Sequence, residues 1–356
     1  MKTGIIQTST DEQQVETLLN RKVPTYRQAY SDRTAWLMAC LSELAYVRFN
    51  PLIGDDAAKI QLVAQVGELM GEQSQSSLLQ MIQSLGYDHL AERKLLISEL
   101  ERLRMKLVET FDEGGTQAIL VSCPQFLILS FRGTESDSLE DIKTDAKAVT
   151  TQCSSGGRVH VGFNQAYEKV EQSLTLALNK IGQKQKPLLI TGHSLGGALA
   201  TIAAKRLIHE GGIAACYTFG SPRVGDETWV MSIKTPIYRL VNAADCVTMM
   251  PPGADTITTL SWLLRFMPKF GESLRLTLQK KFGGYYHGGD MRYMTHCDNG
   301  DYQGVQLLVS VSFFRRIKGF IIKNVSWKKP LADHSIRIYR KKLMIIAHKR
   351  ASVDQK

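Results

Sequence analysis

The sequence predicts an α/β fold in which a mostly parallel central sheet carries helices on both faces. From residue 117 onward, short apolar segments of strand length alternate with longer segments of helical period. This alternation is typical of a parallel sheet with crossover helices. The composition, 44% hydrophobic and 22% charged over 356 residues, supplies the core of a large domain and excludes collagen-like and generally disordered chains.

The N-terminal part is predicted to be a helical extension of this domain. Residues 1–30 are polar, and we expect them to be partly disordered, whereas residues 31–350 are predicted to form a single domain. Large apolar residues recur at helical spacing within the region 31–110. The predicted helices of this region are 31–49, 57–70, 76–85 and 89–110.

The alternating part of the chain predicts the elements of the sheet in order. A Cys123-Pro124 pair suits a turn between the first two strands. The predicted strands are 117–121, 125–131, 187–191, 214–219 and 237–241, and the predicted helices are 162–181 and 195–209. Each helix stands between two strands, as a parallel sheet requires.

Positive charge is concentrated in the last quarter of the chain. Residues 260–356 hold 19 Lys and Arg against 6 Asp and Glu, whereas residues 1–259 hold 25 against 28. This asymmetry predicts an anionic partner for the C-terminal part. The segments 261–282 and 305–329 mix Phe, Trp and Leu with Lys and Arg, as helices at an anionic lipid surface do. Alternatively, their apolar faces pack on the core, and residues 305–314 suit a buried strand equally well.

Several classes of function lack their sequence signatures here. The six cysteines form no CxxC pair, and the sequence contains no HExxH, Walker loop or GxGxxG, so we expect no metal and no organic cofactor. No nucleic-acid-binding signature accompanies the basic region, and no nucleic-acid partner is expected.

No apolar run reaches the roughly 18 residues that span a bilayer, and the N-terminus carries no signal-peptide core. We therefore expect a cytoplasmic protein, with peripheral membrane association or leaderless export as the alternatives.

The strongest chemical signal is the pentapeptide Gly192-His193-Ser194-Leu195-Gly196. It has the form G-x-S-x-G and stands directly between an apolar strand and an Ala-rich helix. A sharp strand-to-helix turn strains the backbone of the serine, and glycines on both sides remove side chains that would clash. The turn presents the hydroxyl at a helix N-terminus, where N–H groups favour developing negative charge. The alternative is a glycine-rich turn whose serine merely caps the helix.

Two further residues are needed to make this serine a nucleophile. A histidine must take its proton, and an acid must orient that histidine; in hydrolases with this turn the chain order is Ser, acid, His. Asp245 is favoured over Asp226 as the acid, because it follows a predicted strand, whereas Asp226 can equally cap the next helix. His334, at a predicted loop-to-helix junction, and His287, in a Gly- and Tyr-rich loop, are nearly equal candidates for the base on position alone.

Seven motifs, in their order along the chain, resemble the class 3 lipase family. They are FRGTES, VHVGF, GHSLGGALA, YTFGSPRVGD, YRLVNAADCVTMMPP, YYHGGDMRY and ADHSI, and the resemblance covers about residues 117–340. It implies the α/β-hydrolase fold, with a long insert before the catalytic histidine. It also implies Ser194 as nucleophile, Asp245 as acid and His334 as base, because the family has a non-catalytic histidine in a segment like YYHGG.

The same resemblance implies an oxyanion hole made by Thr134 and the backbone N–H of Leu195. In the family, the hydroxy residue after an arginine-glycine pair is one donor, and here Thr134 follows Arg132 and Gly133. Two donors aimed at the developing oxyanion stabilise the transition state of acyl transfer. Arg132 itself is expected to be a structural charge partner.

The activity that the resemblance implies is hydrolysis of carboxylic esters of lipids, of lipase or phospholipase type. In fungal members a short amphipathic lid with bulky apolar residues follows the oxyanion segment, whereas residues 135–150 here are mostly charged. This departure and the basic insert 260–330 favour phospholipids or partial glycerides over bulk triglyceride, with peripheral contact between the insert and an anionic membrane. The alternatives are a catalytically silent binding protein of the same fold and a non-lipid esterase or thioesterase. The oligomeric state is left open.

Overall fold

The structure is a computed structural model that describes ten ranges of the chain. They are residues 4–5, 8–20, 29–49, 89–133, 150–153, 156–180, 185–253, 284–298, 300–312 and 333–353. The predicted helices 57–70 and 76–85, Thr134 and the larger part of the insert 260–330 lie outside these ranges.

Twelve strands form two sheets within the described residues. In chain order they are β1 (Lys106–Glu113), β2 (Thr116–Ser122), β3 (Leu127–Phe131), β4 (Thr150–Gln152), β5 (Arg158–His160), β6 (Leu188–His193), β7 (Ile213–Phe219), β8 (Gly225–Asp226), β9 (Ile237–Asn242), β10 (Tyr285–Tyr286), β11 (Asp290–Met294) and β12 (Leu307–Val309). The central sheet has the order β1-β2-β3-β6-β7-β9-β11-β12. Its five inner strands from β3 to β11 are parallel, and its outer strands are antiparallel. A small antiparallel sheet has the order β10-β8-β5-β4.

Helices cover both faces of the central sheet. In the described residues they are α1 (Ser9–Leu19), α2 (Asp32–Leu44), α3 (His89–Arg102), α4 (Val161–Leu178), α5 (Leu195–Arg206), α6 (Glu227–Met231) and α7 (Ile336–Val353). On one face, α1, α2, α3 and α7 share a core with Ile119 and Val121 of β2; on the other, α4, α5 and α6 share a core with Ala118 and Leu120. These four residues alternate because successive side chains of a strand point to opposite faces. The predicted α/β class is confirmed.

The N-terminal helices pack on the sheet close to the serine turn. Thr8 and Asp11 form a capping box at the start of α1, whose Val15 and Leu18 are buried. Further along, α2 lies against β6, where Ser42 Oγ and Thr191 Oγ1 are 2.9 Å apart. Part of the segment 1–30 therefore forms a helix, and α1, α2 and α3 belong to the same core as the sheet.

The predicted helix 89–110 is wrong in its second half. Helix α3 ends at Arg102, and β1 pairs with β2 from Lys106 onward. The chain turns at Arg104, which has a positive φ of 58° that no helix continues. Leu107, whose spacing from Leu100 and Leu103 predicts a core position on the helix, lies instead on the edge strand, where it is partly buried.

Residues 305–314, for which a buried strand is one alternative, contain the short edge strand β12. Its Val309 is 66% exposed, so this strand is not a buried one. None of the helices within the described ranges is both long and apolar enough to cross a bilayer.

Candidate active site

The serine turn has the geometry that its sequence predicts. Strand β6 ends at His193 and α5 begins at Leu195, so Ser194 alone makes the turn, with φ 58° and ψ −127°. This strained conformation costs about 1–3 kcal/mol in a non-glycine residue. A side chain at Gly192 would lie 2.1 Å from the Gly196 carbonyl oxygen, which explains why glycine is required there. Ser194 stands at the N-cap position of α5, but its hydroxyl makes no capping bond to the helix.

The start of α5 and the end of β3 flank Ser194. Leu195 is the first residue of α5, and the N–H groups of a helix's first turn have no partner inside the helix. A Cβ built on Gly133 would lie 3.2 Å from Ser194 Cβ, so the arginine-glycine segment runs past the serine. The predicted oxyanion donor Thr134 is the next residue and lies outside the described ones. Arg132 donates from Nη1 to Gln117 Oε1 at 2.7 Å.

Asp245 and His334 form a buried pair. His334 Nδ1 lies 3.0 Å from Asp245 Oδ1 and 2.9 Å from Oδ2, and Asp245 is fully buried. Because an ionised carboxylate only accepts hydrogen bonds, Nδ1 of His334 carries the proton and Nε2 of the neutral ring has a free electron pair. A Cβ on Gly220 would lie 2.7 Å from Asp245 Oδ2 and 2.9 Å from the His334 ring. Any side chain at position 220 would therefore clash with this pair.

Ser194 Oγ and His334 Nε2 are among the buried polar atoms that lack a hydrogen bond within the described part of the chain. They are the two atoms between which a proton passes when a histidine activates a serine. The structure thus brings Asp245 and His334 into direct contact. It connects them to Ser194 through His193, whose ring lies 4.5 Å from the His334 ring, centroid to centroid.

His193 is held by hydrogen bonds on both ring nitrogens. Its Nε2 lies 2.5 Å from the backbone oxygen of His334, and its Nδ1 lies 2.8 Å from the hydroxyl of Tyr46. Burial lowers the pKa of His193 well below its usual value, and the neighbouring imidazole of His334 lowers it further. His193 is therefore neutral.

A second set of buried polar residues holds the loop of His334. The Asn242 amide donates to the Asp333 carbonyl at 2.8 Å, and Lys342 donates to Asn242 Oδ1 at 2.6 Å. The N–H of Ala244 donates to Asp333 Oδ2 at 3.2 Å. Burial raises the pKa of Asp333 and lowers the pKa of Lys342. This set holds Asp333, the residue before His334, against the end of β9.

The rival acid and base have other contacts. Asp226 caps α6, accepting from the N–H of Trp229 at 2.8 Å. His287 Nε2 donates to the carbonyl of Thr248 at 2.7 Å. Both geometries match the alternative explanations that the sequence offers for these residues, a helix cap and a hydrogen-bonded loop histidine.

Sequence analysis missed Tyr46, Tyr339 and Lys342. Tyr339 and Lys342 lie in the basic C-terminal part of the chain, and both side chains are buried. The available signal was their position five and eight residues after His334, on the helix α7 that follows it. Among the described residues, no group of three or more His, Cys, Asp and Glu could hold a metal ion.

Comparison with known families agrees with this site. A family model for class 3 lipases matches residues 128–254. Residues 128–254 belong to the class 3 lipase family. This class 3 lipase region contains Ser194, Leu195 and Asp245, whereas His334 and Tyr46 lie beyond its two ends.

Two curated relatives resemble the same part of the chain. The chain is 37% identical to a secreted mono- and diacylglycerol lipase of Fusarium solani, over 27% of this chain and 31% of the relative. It is 40% identical to a lipase of Rhizomucor miehei, over 28% of this chain and 30% of the relative. The matches thus span about a third of these relatives' own length.

A solved structure shows the same fold over nearly the whole chain. A mutant of MDLA from Penicillium cyclopium superposes with a TM-score of 0.51, covering 96% of this chain and 99% of that chain, at 16% identity. At this identity the likeness concerns the fold alone. It agrees with the α/β-hydrolase fold that the motifs imply.

Proposed function

We propose that this protein hydrolyses carboxylic esters of lipids through an acyl-Ser194 intermediate. The observation that carries the proposal is the buried Asp245–His334 pair, whose histidine backbone contacts His193, the residue before a serine in a strained strand-to-helix turn. The class 3 lipase region supports the same chemistry, because it contains the serine and the acid. Both curated relatives are named as lipases.

Acylation of the enzyme is the first half of the proposed reaction. His334 Nε2 takes the proton of the Ser194 hydroxyl while Oγ attacks the ester carbonyl carbon. The oxygen of the tetrahedral intermediate accepts hydrogen bonds from the Leu195 N–H and Thr134. His334 then gives its proton to the leaving alcohol, and the acyl group stays on Ser194.

Deacylation repeats these steps with water. His334 takes a proton from water, whose oxygen attacks the acyl carbon, and the proton returns to Ser194 Oγ as the fatty acid leaves. Throughout, Asp245 stabilises the imidazolium by accepting from Nδ1, and burial of the pair in a site of low dielectric strengthens this interaction. No group outside the chain is required.

As substrates we propose phospholipids or partial glycerides rather than bulk triglyceride. The mostly charged segment 135–150 and the net positive charge of residues 260–356 support this choice. One relative is named as a lipase of mono- and diacylglycerols. Residues 260–330 would hold the protein at an anionic membrane, and that binding should weaken with added salt as the headgroup charges are screened.

A substrate panel tests both parts of this proposal. Wild type, Ser194→Ala and the exposed-site control Ser98→Ala are compared on a short-chain nitrophenyl ester, a monoacylglycerol, a triglyceride emulsion, and neutral and anionic phospholipid vesicles. We expect Ser98→Ala to match wild type and Ser194→Ala to lose activity on every ester. Full activity in Ser194→Ala would contradict the mechanism, and a preference for the triglyceride emulsion would contradict the substrate class.

A further inference from the structure

We propose that Tyr46 is a positioning residue of this active site, which acts through His193 on the backbone of His334. The inference rests on the function proposed above and assigns a role in it to the N-terminal helices, outside the class 3 lipase region. Tyr46 follows Ala45, the C-cap residue of α2, and its N–H donates to the Glu43 carbonyl at 3.1 Å. Its hydroxyl reaches His193 across 147 residues of sequence.

The direction of the two hydrogen bonds follows from their acceptors. The His334 backbone oxygen can only accept, so His193 Nε2 carries the proton and donates to it. In a neutral ring the other nitrogen is then an acceptor, and the hydroxyl of Tyr46 is the donor to Nδ1. The two hydrogen bonds form a series in which Tyr46 donates to the His193 ring and the His193 ring donates to the His334 carbonyl. By donating to Nδ1, Tyr46 selects the tautomer of His193 that carries its proton on Nε2.

This series fixes the base relative to the nucleophile. His193 is the residue before Ser194, and its side chain binds the backbone of the residue that accepts the serine proton. Asp245 orients the ring of His334 at the same time. Asp245 holds the ring of His334, and His193 holds its backbone. The position of His334 Nε2 relative to Ser194 is therefore set by both contacts. Proton transfer loses rate when such a geometry loosens by a fraction of an ångström.

Tyr46 also contacts the segment that leads to the predicted oxyanion donor. A Cβ built on Gly133 would lie 2.4 Å from the Tyr46 hydroxyl, so the hydroxyl packs directly against this glycine. The guanidinium of Arg132 lies 5.8 Å from the centre of the Tyr46 ring. One side chain therefore contacts the oxyanion segment and the residue before the nucleophile.

Tyr46→Phe removes the hydroxyl and keeps the ring, and Tyr167→Phe is the matched control. The Tyr167 hydroxyl is buried in the opposite core without a partner among the described residues. On a short-chain nitrophenyl ester we expect Tyr46→Phe to lower kcat about tenfold with KM nearly unchanged, since a buried acceptor is left without its donor. Tyr167→Phe should leave both constants within about twofold of wild type.

Two measurements separate positioning from a general loss of structure. The first is the nitrogen NMR resonance of His193 Nδ1. In Tyr46→Phe it should move toward the position of an imidazole nitrogen that accepts no hydrogen bond, and in Tyr167→Phe it should not move. In a double-mutant cycle, Tyr46→Phe should cost little further activity in a His193→Phe background, because both changes break one series. Equal kcat in the two tyrosine variants, or an unmoved His193 resonance, would overturn the proposal.

Failure of the proposed function can be recognised separately. A fluorophosphonate probe should label wild type and Tyr46→Phe, the latter more slowly, and leave Ser194→Ala unlabelled. If wild type is not labelled and hydrolyses no ester, the proposed function fails, and the NMR comparison alone then decides the hydrogen-bond series. A shifted His193 resonance in Tyr46→Phe supports the series, and an unmoved one overturns it.

Discussion

The hydroxyl of Tyr339 donates a 2.6 Å hydrogen bond to Oδ2 of Asp245. The same hydroxyl oxygen accepts from the N–H of Asn242 at 3.0 Å, and the other carboxylate oxygen accepts from the N–H of Val247 at 3.0 Å. Helix α7 begins two residues after His334 and carries Tyr339. One helix therefore follows His334 and orients Asp245.

Removing this hydroxyl in Tyr339→Phe should weaken both activity and stability. A buried carboxylate loses a strong hydrogen bond, so we expect the free energy of unfolding to fall by about 1–3 kcal/mol and kcat to fall about tenfold. Tyr285→Phe is the control, because the Tyr285 hydroxyl is buried without a partner in the described part of the chain. Urea unfolding and nitrophenyl ester kinetics check the pair, and equal effects of the two changes would contradict the role given to Tyr339.

The two candidate acids can be compared by one substitution each. Asp245→Asn keeps the shape of the side chain but removes the charge that stabilises the imidazolium, and we expect kcat to fall about 10³–10⁴-fold, as in other serine triads. Asp226→Asn keeps the cap of α6, because asparagine caps helices as well as aspartate, and should leave kcat unchanged. Steady-state kinetics of both variants is the measurement. A larger loss in Asp226→Asn would show that the acid is misassigned.

The space around the pair predicts a difference between two glycine substitutions. Gly220 and Gly212 both have positive φ, 59° and 76°, so alanine strains the backbone at either position by about 1 kcal/mol. Only at Gly220 would the new Cβ meet Asp245 and His334, whereas nothing lies within 4 Å at Gly212. We expect Gly220→Ala to abolish most ester hydrolysis and Gly212→Ala to keep it. Similar activity in both variants would refute the steric explanation.

The partly buried carboxyl of Asp333 should make the stability of the folded protein depend on pH. Burial raises its folded pKa above the ordinary 3.8, so the folded state binds this proton more tightly than the unfolded state. The stability that it contributes is present at low pH and is lost as pH rises through the raised pKa. Asp333→Asn keeps an acceptor for the Ala244 N–H. Because asparagine does not ionise, its stability should not fall over this pH range.

Urea unfolding of wild type and Asp333→Asn should therefore diverge from pH 3.8 upward. We expect the difference in unfolding free energy, variant minus wild type, to grow toward neutral pH and to level off once Asp333 is ionised in both states. The region below pH 3.8 serves as the internal reference, because the carboxyl is then protonated in both states. A difference that stays constant or shrinks as pH rises would contradict the burial effect.

Local sequence was enough to predict the strand-to-helix turn at Ser194 but not the residues that support the proposed site. The turn at Ser194 is encoded by adjacent glycines, so five residues carried the prediction. The base was undecided between His334 and His287 until the family motifs were considered, because position in the chain does not fix position in the fold. The contacts of Tyr46 and Tyr339 span 147 and 94 residues of sequence. Only the packing of α2 and α7 on the sheet brings them to the site.

The same reasoning explains the error in β1. An edge strand has one partner and a partly solvated face, so its apolar pattern is weak, and leucines at 103 and 107 continued the spacing of the preceding helix. The inner strands β3, β6, β7 and β9 were predicted because burial on both faces makes them largely apolar. The inner strand β11 was missed, because its sequence DMRYM has exposed and partly buried residues in its first half. Thr134 and most of the insert 260–330 remain predictions.

The central claim, that Ser194 carries the acyl group, is tested most directly by trapping the intermediate. Wild type and Ser194→Ala are mixed with a short-chain nitrophenyl ester, quenched in acid within the first turnover, and measured by intact-protein and peptide mass spectrometry. The mechanism predicts a mass increase of one acyl group on the peptide that contains Ser194, and none in Ser194→Ala. An acyl group on another residue, or an unmodified protein that still turns over the ester, would contradict it.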